Sequence, residues 1–409
     1  MVRLAAITIE GYKSFARATT LELRPLTLLY GRNNAGKSAL LRLLPLLADS
    51  VAEDATAPIA LQGRAGRDAG YRDVVSRGQR HNRISLTLRW DTGHEDRFTV
   101  DLEVPDPVDE RVIVRQLRSL APGGKPEMDL NLAPDIDADT YRVTFASSGE
   151  ESLSLTFDGL VPASDHDRPE LVALRGRLAS LRRQVLWLDS VRARPQRLTR
   201  KPNAPPRMLE SDGAGAVEAL LSRETILHEV ATWYRDALER DLRVVEVERP
   251  LYRVMLDARQ GPVRDIALSD TGEGMTQVLP VLVAAAMARD GGPRYLAIED
   301  PASHLHPNAQ RALAMHLAEL AAGPTPPLTV IETHARVLLL GVQLAVAQGR
   351  LEPSHVAAYW VDTETDGTSV ATQVGFDERG RLRGWPRSAF AEDRALTREL
   401  LPFQLPDEV

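Results

Sequence analysis

One short run contains two glycines, a lysine and a serine at the spacing that phosphate binding requires. Residues 31–38 read GRNNAGKS and fit the pattern G-x-x-x-x-G-K-[ST], with a strand-like segment before them and a helical one after. In that context the main-chain amides bind phosphate oxygens, Lys37 reaches the outer phosphates and assists catalysis, and Ser38 ligates Mg²⁺. The residues expected to bind a nucleotide are Gly31, Arg32, Asn33, Asn34, Ala35, Gly36, Lys37, Ser38 and Ala39.

Acidic residues and a histidine follow two later apolar segments. Residues 295–298 lead into Glu299 and Asp300, and residues 328–333 lead into His334. The carboxyl ends of parallel strands meet at one edge of a sheet, so these side chains are expected near the same phosphates. Glu299 is expected to hold Mg²⁺ through its water shell, and Asp300 to orient or deprotonate the attacking water. His334 is expected to hydrogen-bond either the outer phosphate or the attacking water.

A second glycine-containing turn opens a helix in the segment LSDTGEGMTQ, residues 268–277. The start of a helix favours anions because its main-chain amides are free and its dipole is positive there. One chain needs only one phosphate loop. The turn at Gly272, Glu273 and Gly274 therefore predicts that two chains act on one nucleotide across a dimer interface.

The elements that must position these residues alternate between strand and helix. Residues 4–10 and 21–30 read as strands, and a helix that Pro45 should kink or shorten begins at Ser38. Helical and strand-like segments alternate again from residue 266. This order is typical of an α/β domain with a parallel sheet.

The segments between these two halves have a different pattern. Residues 83–160 contain short alternating stretches that predict antiparallel strands. Residues 169–188 read as helical and then strand-like, 195–208 as an exposed arginine- and proline-rich loop, and 214–241 as helical. We therefore expect one α/β P-loop NTPase domain that is split by an inserted lobe. The expected divisions are 1–105 with the phosphate loop and a β-rich lobe, 106–250 as the insertion, and 251–409 as the second half.

Composition narrows the class of protein. The 409 residues are 43% hydrophobic and 26% charged, with a formal net charge of −7, as in ordinary globular domains. The absence of cysteine excludes disulfides, thiolate metal sites and cysteine nucleophiles. No long apolar run or secretory leader is evident, so we expect a cytoplasmic protein without membrane contact. Lysine is scarce beside arginine, which makes Lys37 more notable.

Taken together, these motifs resemble the ABC-type ATPase heads of the SMC, RecF and OLD (overcoming-lysogenization-defect) group. The similarity is to small bacterial AAA-labelled ATPases without a long coiled coil or an evident Toprim domain. It rests on the following segments: GYKSF, GRNNAGKS, YRDVVSRG, VLWLDSVRARP, SDTGEGMTQVLPVLV, YLAIEDPASHLHPNAQ, IETH and RLRGWPRSAF. The resemblance implies an ABC head with a mixed sheet, a β-rich N-terminal lobe and an inserted helical segment.

The resemblance also implies roles for individual residues. The segment containing Gly272, Glu273 and Gly274 would be the signature that faces the partner's ATP, with Asp300 as the hydrolytic acid and His334 as the switch histidine. ABC heads usually have Glu at the hydrolytic position, so the shorter Asp300 implies slow turnover. Ala302, in the D-loop region 302–307, stands where the group often has another acid. Gln62 and Gln79 are both candidates for the glutamine that usually ligates Mg²⁺.

Residues 175–207 hold ten basic residues and one acid, which predicts a site for DNA phosphates or an acidic partner, unless it is simply a solvated face. The residues expected to contact DNA are Arg192, Arg194, Arg197 and Arg200.

Two metal sites are less favoured alternatives. His304 and His306 with the acids at 299–300 offer ligands for zinc, but the ATPase hypothesis already accounts for all four residues. The acids Asp362, Glu364 and Asp366 resemble those of a Toprim nuclease, although Asp-Gly in WVDTETDGTSV is typical of a hairpin turn.

The sequence thus predicts a Mg²⁺-dependent ATPase that forms a head-to-head homodimer with ATP at the interface. By family analogy it would gate a separate effector, a nuclease or a toxin, in DNA-linked or antiviral defence. One alternative is an ATP-switched regulatory scaffold that holds a toxic partner with little turnover. A weaker alternative is a metal-dependent nuclease.

Overall fold

A computed structural model describes residues 3–79, 82–91, 95–104, 111–120, 125–132, 140–163, 167–261, 264–386, 389–390, 396 and 398–400. The expected boundary at 105/106 lies outside these residues, as do Arg387 and Ser388 of the C-terminal family segment. Within the described residues, no helix has the length and apolar character needed to cross a bilayer.

The strands are, in chain order, β1 (Arg3–Glu10), β2 (Thr19–Glu22), β3 (Leu26–Gly31), β4 (Arg83–Asp91), β5 (Glu95–Glu103), β6 (Ile113–Leu120), β7 (Pro126–Leu132), β8 (Thr140–Phe145), β9 (Gly149–Ser154), β10 (Phe157–Asp158), β11 (Val161–Pro162), β12 (Val185–Leu188), β13 (Thr199–Arg200), β14 (Arg240–Glu248), β15 (Leu251–Ala258), β16 (Tyr295–Glu299), β17 (Leu328–Glu332), β18 (Val356–Thr363), β19 (Ser369–Phe376) and β20 (Leu382–Arg383). The α-helices are α1 (Lys37–Leu41), α2 (Leu43–Ser50), α3 (Tyr71–Val74), α4 (Pro169–Ala179), α5 (Ala216–Ser222), α6 (Glu224–Leu238), α7 (Glu273–Gln277), α8 (Leu279–Arg289), α9 (Pro307–Ala321) and α10 (Arg336–Ala347).

The central sheet carries the phosphate loop. Its strand order is β12-β16-β17-β3-β18-β19-β20, and the first five strands are parallel. The last two run antiparallel to their neighbours, so the sheet is mixed. Strand β3 is buried along its whole length, as expected of a parallel strand covered on both faces. The predicted α/β P-loop NTPase fold is confirmed.

The two faces of this sheet pack against separate hydrophobic cores. In β3, Leu28 and Tyr30 point into a core formed with helices α5, α6, α8, α9 and α10, whereas Leu29 points into the other core. Strand β16 divides in the same way, with Ile298 on the first side and Ala297 on the second. This alternation follows from the two-residue period of a strand. The parallel pairing of β16 with β17 and of β17 with β3 brings the carboxyl ends of these strands to one edge of the sheet.

A second sheet is formed by strands from the N-terminal part of the chain. Its strand order is β2-β1-β4-β5-β6-β7-β8-β9, and all neighbouring strands are antiparallel. It confirms the predicted antiparallel lobe but differs from the expected divisions. Strand β5 pairs with β6 across the expected boundary at 105/106. Strand β12, expected in the insertion 106–250, is the edge strand of the central sheet beside β16. Strand pairing between distant segments decides this organisation.

The predicted strand at 21–30 is two strands in different sheets. Strand β2 pairs with β1, whereas β3 lies between β17 and β18. The turn between them contains Pro25, and the Arg24 main-chain N–H donates to Thr27 Oγ1 at 2.9 Å. Proline has no main-chain N–H, so it separates the strands. The helix that Pro45 was expected to kink or shorten is divided at Arg42, which lies between α1 and α2.

Candidate active site

The loop between β3 and α1 has the backbone that its glycines allow. Gly36 has φ 100° and Asn34 has φ 62°, both in the left-handed region. A β-carbon on Gly31 would lie 2.0 Å from the Val361 carbonyl oxygen on β18. One on Gly36 would lie 2.9 Å from the Phe15 ring. Both positions therefore require glycine, because any side chain would clash with a neighbouring element.

The lysine and serine that open α1 lie at the end of this loop. Lys37 is buried and its Nζ donates to the carbonyl oxygens of Gly31 at 3.2 Å and Arg32 at 2.7 Å. Burial lowers the pKa of Lys37, and the nearby carboxylates of Glu332 and Asp300 oppose this shift. The buried Lys37 ammonium can offset phosphate charge, and the two acids near it can interact with a cation.

Asp300 and His334 meet the phosphate loop from the ends of β16 and β17. The Asp300 carboxylate accepts a hydrogen bond from Thr333 Oγ1 at 3.0 Å, and its main-chain N–H donates to the Glu332 carbonyl oxygen at 2.7 Å. Burial and the charge of Lys37 lower the pKa of His334, opposed by Asp300, so its imidazole is neutral at pH 7. The structure therefore brings together the three side chains expected to act in catalysis.

Glu299 lies beside this site in a buried ion pair. Its carboxylate is 4% exposed and accepts from Arg42 through Nε at 2.6 Å and Nη2 at 2.8 Å. Trp187 Nε1 donates to the same carboxylate at 3.1 Å, and Asp189 lies 3.5 Å from the Arg42 guanidinium. Protein donors thus engage both oxygens of the acid that the sequence assigns to Mg²⁺. Arg42 and Trp187 were not predicted as part of the site.

We expect Arg42→Ala to destabilise the protein by about 3–5 kcal/mol, because it leaves the Glu299 carboxylate buried without its countercharge. Thermal and urea unfolding would measure the loss. The double variant Arg42→Met/Glu299→Gln removes both charges at similar volume and should recover most of the stability. A single variant as stable as the wild type would contradict this role of the ion pair.

The predicted signature segment forms the start of α7. A β-carbon on Gly274 would lie 2.4 Å from the His304 carbonyl oxygen, so this glycine allows close packing against the predicted D-loop region. Nothing lies within 4 Å of a β-carbon on Gly272. Glu273 is partly exposed and forms an ion pair with Arg194. The segment thus packs on one side and leaves the Gly272 side open.

The arginines expected to contact DNA differ in their surroundings. Arg192 is 3% exposed and donates to the Glu299 carbonyl oxygen, and burial lowers its pKa to about 10. Its prediction as a DNA contact is wrong, because a buried guanidinium cannot reach a phosphate backbone. Arg194 pairs with Glu273 and Arg197 with Asp270, so both hold the signature segment, whereas Arg200 is exposed on β13.

The alternative metal sites are not assembled. In the described part of the chain, no three His, Asp or Glu side chains are placed to share a metal ion. Glu364 and Asp366 of the C-terminal hairpin form exposed ion pairs with Arg17, as a solvated turn would.

Neither candidate for the Mg²⁺-ligating glutamine contacts the phosphate loop through a hydrogen bond given by the structure: Gln62 donates to Ala69 and Gln79 to Ala16 and Glu10.

Glu332 is a residue of the site that was not predicted from the sequence. This residue ends β17 directly before Thr333 and His334, and its Oε1 accepts from Ser38 Oγ at 2.9 Å. Burial raises the pKa of Glu332, and the hydrogen bond from Ser38 opposes this shift. The signal was present in the segment IETH, where the acid precedes the predicted switch histidine by two residues.

Comparison with known proteins gives one family match over part of the chain. Residues 161–340 match a family model described as "AAA domain, putative AbiEii toxin, Type IV TA system". This range contains the signature segment, Asp300 and His334, and the match confirms the predicted resemblance to an AAA-labelled ATPase. No curated protein matches the sequence.

Solved structures of SMC heads are similar at low identity. An SMC head bound to the C-terminal winged-helix domain of ScpA is 11% identical, with a TM-score of 0.49, over 91% of this chain and 98% of that one. The SMC head domain from Thermotoga maritima is 12% identical, with a TM-score of 0.46, over 90% and 98%. An SMC head with an extended coiled coil, bound to the C-terminal domain of ScpA from Pyrococcus furiosus, is 10% identical, with a TM-score of 0.46, over 98% and 100%.

Proposed function

We propose that this chain binds ATP with Mg²⁺ and hydrolyses it. The observation that supports this most is the convergence of Lys37 and Ser38 on the phosphate loop with Asp300 and His334 from neighbouring strand ends. Main-chain amides of residues 31–38 would bind the phosphates, and Lys37 would offset the charge of the outer phosphate.

The chemistry in this proposal is phosphoryl transfer to water. Asp300, held by Thr333, orients the attacking water and accepts its proton, and neutral His334 hydrogen-bonds the outer phosphate. Bound Mg²⁺ would offset charge on the phosphate oxygens. Ser38 would ligate this Mg²⁺ because of its position in the loop, and a carboxylate at a strand end would supply a further oxygen ligand.

We further propose that ATP joins two copies of this chain head to head. The open side of Gly272 and the partly exposed Glu273 support contact of the signature segment with the partner's nucleotide. In the dimer each ATP is bound by one protomer's phosphate loop and by the other's signature. Closing and opening of the dimer would gate a separate effector, a nuclease or a toxin, in DNA-linked or antiviral defence.

A second candidate is an ATP-switched scaffold that holds a toxic partner with little turnover. One observation favours it: Asp300 is a methylene shorter than the glutamate usual in ABC heads, and Thr333 Oγ1 already engages one of its oxygens. Such a carboxylate would hold the attacking water less well. ATP would then serve mainly to close the dimer.

Steady-state ATP hydrolysis by the purified chain, with and without double-stranded DNA, tests these proposals. We expect Mg²⁺-dependent turnover, and a DNA-linked role also requires stimulation by DNA. That stimulation should fall with Arg200→Glu and stay unchanged with Arg118→Glu on the β lobe. ATP binding without turnover would favour the scaffold, and no ATP binding at all would contradict both candidates.

A further inference from the structure

Two glutamates lie side by side at the edge of the sheet where nucleotide would bind. Glu299 ends β16 and Glu332 ends β17, and the two are paired in register. Strand β17 lies between β16 and β3, the strand that leads into the phosphate loop. Glu332 is therefore on the strand adjacent to the phosphate loop, and Glu299 is one strand farther away.

The nearer glutamate already contacts a residue expected to ligate the metal. Ser38 Oγ donates its proton to Glu332 Oε1 at 2.9 Å. A hydroxyl that donates its proton in this way keeps its lone pairs available for a cation. Among the described residues, Glu332 Oε2 has no hydrogen-bond partner although this atom is buried. A buried oxygen without a partner is unfavourable, and a hydrated cation beside it would satisfy it.

The farther glutamate is committed to protein donors. Arg42 binds both oxygens of Glu299, and Trp187 donates to one of them. For Glu299 to turn toward a metal, the Arg42 side chain, which is 2% exposed, would lose its two-point partner and keep only Asp189 at 3.5 Å. Breaking a buried ion pair in this way is strongly unfavourable. Glu299 therefore holds α1 and α2 against the end of β16.

We propose that Glu332, and not Glu299, is the carboxylate that holds Mg²⁺ at this site, together with Ser38 Oγ. This inference rests on the proposed ATP-binding function and names its metal-holding acid. Oxygen ligands and one or two carboxylates are what Mg²⁺ prefers beside phosphate. Thr333 occupies only Oδ1 of Asp300, so the other carboxylate oxygen remains available for the attacking water.

Metal binding can be measured without turnover by using Mn²⁺ as the probe. Protein loaded with ADP is titrated into Mn²⁺, and the free metal is followed by electron paramagnetic resonance. We expect Glu332→Gln to weaken Mn²⁺ binding by about 10–100-fold, the usual effect of removing a group that supports a metal ligand. ADP affinity in EDTA should not change. Glu332→Asp, which keeps the charge, should lose less.

The matched comparison removes the other acid while keeping the fold. The double variant Arg42→Met/Glu299→Gln should bind Mn²⁺ like the wild type, with circular dichroism confirming that both proteins are folded. Weakened Mn²⁺ binding in this double variant, together with wild-type binding in Glu332→Gln, would overturn the inference while leaving the ATPase proposal intact. Failure of the wild-type chain to bind ADP would overturn both.

Discussion

Lys37→Ala is expected to abolish ATP binding at micromolar protein concentration. The Lys37 ammonium is buried at the end of the phosphate loop, where it would meet the outer phosphates with little competing water. Removing one partner of a buried charge pair costs about 2–5 kcal/mol, which weakens affinity by roughly 30-fold to several thousand-fold. Isothermal titration with ATP and Mg²⁺ measures this directly.

The control for this variant is another of the few lysines. Lys201 is exposed in the loop after β13, and Lys201→Ala removes the same charge far along the chain from the phosphate loop. We expect this protein to bind ATP with wild-type affinity. If Lys37→Ala also bound ATP normally, residues 31–38 would not be a nucleotide site, and the proposed function would fail with them.

Asp300→Asn is expected to lower ATP turnover by about 100- to 10,000-fold while leaving ATP binding intact. Loss of a general base has effects of this size. Asparagine has nearly the same shape, and its side-chain oxygen can still accept from Thr333 Oγ1, so the fold should not change. Because ATP then persists, the head-to-head dimer should persist as well, which light scattering on a sizing column would detect.

Asp366→Asn provides the comparison for this second variant. Asp366 accepts from Thr368 in the exposed C-terminal hairpin, far along the chain from the strand ends of the site. Its replacement should leave turnover and dimerisation unchanged. Unchanged turnover in Asp300→Asn would show that another group activates water, whereas loss of turnover without a stable dimer would contradict the ATP-dependent head-to-head contact.

Local sequence predicted the parts of the site that depend on loop conformation and on which strands end in polar residues. The phosphate loop followed from its two glycines, because each needs a torsion angle or a close contact that only glycine tolerates. The placement of Asp300 and His334 at one edge of the sheet was predicted from the general rule that ligands bind at the carboxyl ends of parallel strands. The first inference uses residues a few positions apart, where the sequence spacing determines the geometry.

Contacts between distant residues were harder to predict. The ion pair of Arg42 with Glu299 joins residues 257 positions apart, so spacing carried no signal for it. Arg192 lies in a basic stretch that predicts exposure, yet its main-chain N–H donates to Gln277 of α7 and its side chain is buried. The pairing of β5 with β6 across the expected boundary at 105/106 was hard to predict for the same reason, because the residues of a strand do not specify which strand pairs with it.

The sequence by itself determined which chemical groups this protein carries and that a phosphate loop would form, because loop torsions depend on the loop's own residues. The tertiary structure alone decided which of two glutamates faces Ser38. That choice depends on the order of β3, β17 and β16 in the sheet and on Arg42 engaging Glu299. Neither can be obtained from spacing along the chain, because both arise only when distant segments pack together.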